Sequence, residues 1–155
     1  MILDVFREKQ RLDNVFSVVE QTHFDPEVLS HWAKYLCVLT SGFLENSLRL
    51  ILKDYAVKHA NNCISSFVST RIEGLTNFND EKISQLLSAF SPTWRDTFHE
   101  MRSIEQKDAI DSVLANRNLI GHGRSVGLTL ARMKQYYGEV CKVVKIIDEE
   151  CVNKR

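Results

Sequence analysis

The stretch DPEVLSHWAKYLCVLTSGFLENSLRLILKDYAVKHA, residues 25–60, decides the fold of this chain. It opens with an aspartate suited to an N-cap, a proline suited to the first helical position and an acid in the first turn. No breaker stronger than Gly42 follows before Asn61, so the stretch predicts one helix over about residues 26–59. A helix of roughly 30 residues is about 45 Å long, which would make it the spine of a domain.

The two ends of the chain carry the same kind of periodicity. Apolar residues form one helical stripe over residues 2–22, and residues 129–151 place theirs alternately three and four positions apart. Only six glycines and two prolines are present, and scarce helix breakers favour long helices. We therefore predict an all-α fold, a single-domain helical bundle over residues 1–155 with two long helices at about 26–59 and 129–151 and several shorter ones.

Between the long helices, polar caps separate shorter helical segments. Ser103 and Gln106 have the spacing of a capping box, which predicts a helix that runs to about Ile120. Three glycines between Gly121 and Gly127 mark the place where this helix should stop. The other short helices are predicted at residues 63–72, at residues 79–90 and from Ser91-Pro92 onward.

Charge and composition narrow the classes of partner. Lysine plus arginine and aspartate plus glutamate both total 20, so no net charge attracts the protein to nucleic acid or to an anionic membrane, and contact with a polyanion would require a local basic patch. No apolar stretch has the length of a bilayer span and no signal peptide is recognisable, so we expect a cytoplasmic protein with no membrane contact. The cysteines lack paired spacing, which predicts buried thiols rather than disulfides or zinc ligands, and no metal or other cofactor is expected.

One arginine lies where an apolar residue is expected. Arg117 follows Val113 by four positions and Leu114 by three, so the helical period places it on the apolar face of its helix. Burying an unpaired guanidinium costs on the order of several kcal/mol. Arg117 is therefore either paired with an acid such as Glu45, which is a structural role, or it faces a cleft where a phosphate binds.

A histidine follows Arg117 by five positions, directly after a glycine. On an uninterrupted helix the side chains of Arg117 and His122 point roughly 140° apart. We expect Gly121 to adopt the left-handed conformation past the helix end and to bring His122 back beside Arg117. Asn118 would then orient the imidazole or the substrate through its amide. The alternative is that His122 caps the free carbonyl groups at a helix C-terminus.

An arginine and a histidine suffice for one particular reaction. Attack of a ribose 2′-hydroxyl on the adjacent phosphate needs proton transfer and stabilisation of negative charge, and neither requires a metal. Residues 115–147 contain six basic residues against Glu139 alone, whereas residues 77–116 contain four basic and seven acidic residues. This asymmetry favours a basic surface around the candidate site, although a run of this size is also typical of a solvated helix face.

The segment NRNLIGHGR, residues 116–124, resembles the signature of HEPN domains: an arginine, a polar residue, a short spacer and a histidine. The wider chain is similar to the RiboL-PSP subgroup, through SGFLENSL at 41–48, FSPTW at 90–94 and LTLARMKQYY at 128–137. This resemblance covers essentially the whole chain. It implies a helical bundle, two copies paired with their motifs facing each other, and metal-independent cutting of RNA that leaves a cyclic 2′,3′-phosphate.

The resemblance also implies roles for individual residues. Arg117 is expected to stabilise the charge of the phosphorane, His122 to act as general acid or base, and Asn118 to orient them. Glu45 is expected to hold Arg117. Independently of the resemblance, Arg124 is expected to contact the substrate. HEPN toxins silenced by a partner nucleotidyltransferase carry a tyrosine two residues after the histidine, where this chain has Arg124. Regulation through modification of that tyrosine is therefore not expected.

Three interpretations of the function follow. The first is a metal-independent endoribonuclease that acts on RNA at the cleft of a homodimer; toxin and phage-defence settings of the subgroup imply a cognate antitoxin or defence-system partner. The second is a non-catalytic HEPN-like module that binds RNA or protein through the same cleft. The third, a helix-turn-helix regulator that uses the basic last helix, is disfavoured because the apolar stripe of that helix is needed for packing.

Overall fold

The computed structural model describes residues 1–153, and within that range every regular element is a helix. This confirms the all-α class predicted from the sequence. In chain order the elements are α1 (Leu3–Gln21), α2 (Pro26–His59), α3 (Asn62–Glu73), α4 (Asp80–Phe90), α5 (Pro92–Met101), α6 (Ile104–Gly121) and α7 (Leu130–Lys145), and a π-helical segment, Ile146–Val152, continues α7.

The central element is α2, which packs against α1, α3, α6 and α7. It covers 34 residues, and its fully buried side chains include Leu36, Leu48 and Ile51. Asp25 stands at the predicted N-cap position, but its side chain makes no capping hydrogen bond. An N-cap contributes only about 1 kcal/mol, so burial of the apolar face stabilises this helix far more than its N-cap residue does.

The last long helix is confirmed in extent and differs in its hydrogen bonding. Its apolar stripe is buried as predicted, but the chain changes from α-helical to π-helical turns after Lys145. The last of these wider turns is closed by the backbone N–H of Asn153, which donates to the carbonyl of Asp148, five positions earlier, at 2.8 Å. The side-chain amide of Asn153 also donates to the Asp148 carboxylate, at 2.6 Å. The Asp148 carboxylate is buried, and it also accepts the N–H of Ile2 at 2.8 Å.

The start of α6 is the capping box that the sequence predicts. Ser103 Oγ accepts the backbone N–H of Gln106 at 3.2 Å, and the Gln106 side chain accepts the N–H of Ser103 at 2.9 Å. At the start of α4, the side chain of Asn79 accepts the N–H of Lys82 at 2.8 Å. These caps set where α4 and α6 begin, and α6 carries the Arg117 to His122 motif at its other end.

The cysteines differ in their surroundings. Cys37 and Cys151 are buried, and burial raises the pKa of the Cys37 thiol to about 11. Cys63 is exposed, so the prediction of buried thiols was wrong there; it lies in the first turn of α3, a helix that buries only Ile72 among its own residues.

None of the helices within residues 1–153 combines the length and the apolar character that a bilayer crossing requires.

Candidate functional site

The C-terminal end of α6 is closed by a Schellman motif, which places the histidine of the candidate motif. The N–H of Arg124 donates to the carbonyl of Leu119 at 2.9 Å, and the N–H of Gly123 donates to that of Ile120 at 3.0 Å. Gly123 has a φ of 68°, in the left-handed region. The expectation that Gly121 makes the chain reversal was wrong, because the α-helical hydrogen bonding runs through Gly121 and the reversal comes two residues later.

Alanine substitutions of the two glycines are expected to have opposite effects on stability. Gly123→Ala should lower the free energy of unfolding by about 1 kcal/mol, because an L-residue strains at that φ. Gly121→Ala should raise it by about 0.5 kcal/mol, because this position is helical and an added Cβ meets nothing within 4 Å. Urea unfolding of both variants measures the difference, and the reverse signs would contradict the observed helix end.

His122 occupies the C-cap of α6 with its side chain exposed to solvent. Its backbone N–H donates to the carbonyl of Asn118 at 3.1 Å, which continues the helical ladder by one more residue. Within the described residues the imidazole accepts and donates no hydrogen bond to protein, so it does not cap the last carbonyls of the helix through its side chain. Both ring nitrogens are therefore open to a substrate.

Arg117 and His122 line the same surface depression, despite the helical geometry that separates them by five residues. The depression has a volume of about 380 Å³, and its lining residues are Val38, Arg117, Asn118, Ile120, Gly121 and His122. Gly121 lies one helical turn after Arg117, as His122 lies one turn after Asn118. Gly121 itself lines the depression in helical conformation, and a Cβ added there would meet no atom within 4 Å.

The Arg117 guanidinium is held by two amide oxygens. Its Nη1 donates to the side-chain oxygen of Asn77 at 2.8 Å and to that of Asn118 at 3.2 Å. In the described part of the chain Arg117 forms no ion pair with a carboxylate, and Nε and Nη2 have no protein acceptor. A half-buried cation with free donors on an open depression is suited to an anion such as a phosphate.

Glu45 reaches the arginine only indirectly. It is 9% exposed, and its ion pair within residues 1–153 is with Arg49 at 3.5 Å rather than with Arg117. One carboxylate oxygen accepts the backbone N–H of Asn77 at 2.8 Å. Asn77 therefore links the two residues: its backbone N–H donates to Glu45, and its side-chain oxygen accepts from Arg117.

The sequence did not single out Asn77, which lies between the helices predicted at residues 63–72 and 79–90. Among the described residues other than glycine, Asn77 alone has a positive φ, of 59°. Asparagine tolerates the left-handed conformation better than most side chains, so an asparagine in a short connection is a weak signal for such a turn. Nothing in the local sequence indicates that this turn meets α6.

The basic surface is smaller than the charge count suggests. Lys134, Lys142 and Lys145 all form ion pairs, with Glu20 at 2.6 Å, Glu139 at 2.7 Å and Glu149 at 3.8 Å respectively. Arg124 is exposed, its side chain has no partner among the described residues, and it does not line the depression. Of the six cations in residues 115–147, those without a carboxylate partner among the described residues are thus Arg117, Arg124 and Arg132, and Arg132 donates to Gln135 and lies over the Tyr136 ring.

No grouping of three or more His, Cys, Asp and Glu side chains within residues 1–153 is arranged to hold a metal ion.

Comparison with protein families gave a match over residues 3–153, nearly the whole chain, to the family described as RiboL-PSP-HEPN. Comparisons with curated proteins and with solved structures gave no significant match.

Proposed function

The chain belongs to the RiboL-PSP-HEPN family, which makes it a HEPN-type, nucleic-acid-related module, and on that premise we propose that it is a metal-independent endoribonuclease. The observation that carries the proposal is the pairing, in one open depression, of an Arg117 guanidinium without a carboxylate partner and an exposed His122 imidazole. The first supplies positive charge to a phosphate, and the second supplies a general acid or base.

The proposed reaction is an internal transesterification of RNA. The ribose 2′-oxygen forms a bond to the adjacent phosphorus, the bond from phosphorus to the 5′-oxygen breaks, and the products are a cyclic 2′,3′-phosphate and a 5′-hydroxyl. A base removes the proton of the 2′-hydroxyl and an acid delivers one to the leaving 5′-oxygen. Arg117 donates from its free Nε and Nη2 to the phosphorane oxygens, while its Nη1 donates to the side-chain oxygen of Asn118.

A single histidine per motif supports a dimeric site, because the reaction needs both an acid and a base. A two-fold axis through the depression would bring two copies of His122 to one phosphate. Exposed apolar side chains occur at the depression and next to it in the two helices: Val38 lines it, Tyr35 stands one helical turn before Val38 on α2, and Leu119 follows Asn118 on α6, with exposures of 39%, 53% and 37%. Apolar residues of this kind around a polar centre are typical of a protein interface.

Tyr35→Glu is expected to convert the proposed dimer to a monomer and to lower RNA cleavage at the same protein concentration. A carboxylate buried in an apolar interface loses its hydration without gaining a partner. Light scattering after size exclusion measures the mass. Val57→Glu is the matched control, since Val57 is 68% exposed on the same helix but far from the depression; equal masses for wild type and Tyr35→Glu would contradict this arrangement.

The proposed activity is tested by incubating the purified protein with tRNA and mRNA in the presence of EDTA and mapping the fragment ends. Cleavage that leaves cyclic 2′,3′-phosphate ends is the expected result. RNA that stays intact across a range of pH and salt would remove the nuclease proposal. An RNA with a 2′-deoxyribose at each mapped cut site should resist cleavage there, because it lacks the attacking hydroxyl.

The biological setting that we propose is a toxin or phage-defence effector acting on cytoplasmic RNA and held in check by a cognate antitoxin or defence-system partner. This extends the resemblance to toxin-type HEPN proteins, while Arg124 at the position of their modified tyrosine favours a partner that acts by binding. Growth arrest on expression of the wild-type chain, but not of His122→Ala, is the expected outcome.

A second candidate function is a non-catalytic module that binds RNA or protein through the same depression. The observation that favours it is that no described side chain hydrogen-bonds to the His122 ring and orients it for proton transfer. This alternative predicts RNA affinity that Arg117→Ala weakens, with no cleavage. Detection of a cyclic-phosphate end would eliminate it.

A further inference from the structure

We propose that Asn77, in the connection between α3 and α4, is a positioning residue that holds the Arg117 guanidinium at the depression through an uncharged acceptor. Its consequence for cleavage rests on the proposed function, whereas its effect on Arg117 itself does not. The juxtaposition is the hydrogen bond of 2.8 Å from Arg117 Nη1 to the Asn77 side-chain oxygen, made between residues 40 positions apart.

Arg117 needs such a contact because its other protein partner lies on the same helix. The bond to Asn118 is longer, at 3.2 Å, and joins neighbours in the sequence. Arginine has many rotamers, and a contact from the adjacent residue alone restricts few of them. The bond to Asn77 comes from outside α6, so it fixes the guanidinium relative to a second part of the fold.

Asn77 is itself held firmly. Its backbone N–H donates to Glu45 at 2.8 Å, and the left-handed φ of 59° fits asparagine. Two residues earlier, the carbonyl of Leu75 accepts from Arg49 at 2.6 Å, and Arg49 pairs with the same Glu45. Two residues later, the cap at Asn79 starts α4. The buried carboxylate of Glu45 therefore fixes the turn, and the turn presents the amide to Arg117.

The uncharged nature of this contact matters as much as its geometry. A carboxylate at the position of the Asn77 amide would hold Arg117 equally well but would neutralise it. An ion pair within the protein competes with an incoming phosphate for the same guanidinium. The nearby acid, Glu45, pairs with Arg49 and accepts the N–H of Asn77. It therefore forms no ion pair with Arg117 and does not neutralise it.

Two substitutions separate geometry from charge. Asn77→Gly keeps the left-handed backbone and the N–H that Glu45 accepts, and it removes the amide. Asn77→Asp keeps the size of the side chain and places a carboxylate next to Arg117. Asn79→Gly is the matched control, because it removes an amide from the same connection and weakens the cap of α4 without touching Arg117.

The first readout is the order of the Arg117 side chain, measured from the heteronuclear NOE of its Nε–Hε signal, which is assigned by its loss in Arg117→Lys. Arg124, which is exposed and makes no side-chain contact with described residues, is the internal reference for a free arginine. We expect Asn77→Gly to lower the Arg117 value to that of Arg124. Asn77→Asp and Asn79→Gly should leave it at the wild-type value.

The second readout is function. Asn77→Gly should lower kcat for RNA cleavage by about 10- to 100-fold with KM within about two-fold, because the guanidinium is misplaced rather than lost. Asn77→Asp should weaken binding of a 2′-deoxy-substituted RNA by about 10-fold, although Arg117 stays ordered. A merely structural role predicts instead that Asn79→Gly, which destabilises the same connection, affects both readouts as strongly.

The outcomes are distinguishable. Unchanged order of Arg117 and unchanged kcat in Asn77→Gly would overturn the inference. If the wild type cleaves no RNA while Asn77→Gly still releases Arg117, the positioning role of Asn77 holds and the nuclease proposal falls. If Asn77→Asp binds RNA as tightly as the wild type, the part of the inference that concerns charge is wrong.

Discussion

Replacing His122 with alanine is expected to lower the rate of RNA cleavage by about 10²- to 10⁴-fold, the range that loss of a general acid or base produces. His122 is exposed and its ring makes no contact with a described side chain, so the fold should tolerate the change. We expect the free energy of unfolding to change by less than about 0.5 kcal/mol. Binding of a 2′-deoxy-substituted RNA should change by less than about two-fold, because the phosphate contact is made by Arg117.

The control for this prediction is His23→Ala. His23 is exposed, just before α2, and lies outside the depression. Single-turnover cleavage of one labelled RNA by the two variants compares the chemical step directly. If His122→Ala cuts as fast as the wild type and as His23→Ala, proton transfer does not pass through this imidazole.

Replacing Arg117 with alanine is expected to lower kcat/KM by about 10²- to 10³-fold, since it removes the donors aimed at the developing phosphorane charge. Arg117→Lys should recover only a small part of this loss. Lysine restores one positive charge, but its compact ammonium cannot donate to two oxygens of one phosphate in the geometry of a guanidinium. It also has to satisfy the amide oxygens of Asn77 and Asn118 in place of Nη1.

Arg124→Ala is the matched comparison for Arg117. Both cations lack a carboxylate partner among the described residues, but Arg124 lies outside the depression. We expect Arg124→Ala to weaken RNA binding a few-fold and to reduce its dependence on salt by about one phosphate contact, with kcat unchanged. An equal loss of kcat in both variants would show that Arg117 has no special role in the chemical step.

The positions of the helices could be predicted from the sequence because the signals that set them are local. The periodic apolar residues of α2, the proline at its first position and the Ser103–Gln106 capping box all act within a few turns of one helix. The structure confirms them because tertiary packing agrees with each local preference. The same reasoning failed at Gly121, where a choice between two nearby glycines depends on which residue ends the hydrogen-bond ladder.

The contacts of the candidate site were harder to predict from the sequence than the helices were. The sequence singled out Arg117, Asn118 and His122, which lie together on α6, and the structure brings all of them to one depression. The apolar-face position left two alternatives for Arg117, an acid such as Glu45 or a cleft that takes a phosphate, and the resemblance implied Glu45 as the residue that holds it. The observed partner is an uncharged amide from a turn 40 positions away. A pattern within one helix carries no information about such a neighbour.

The sequence by itself determined the all-α class and the limits of the long central helix, because helix periodicity and caps are properties of consecutive residues. Only the tertiary structure decided which residue holds Arg117 and where the charge of Glu45 goes. These depend on how the turn between α3 and α4 meets α6, and that meeting is set by packing of the whole core around α2. Long-range contacts of this kind arise from the shape of the assembled bundle, which no short stretch of the chain encodes.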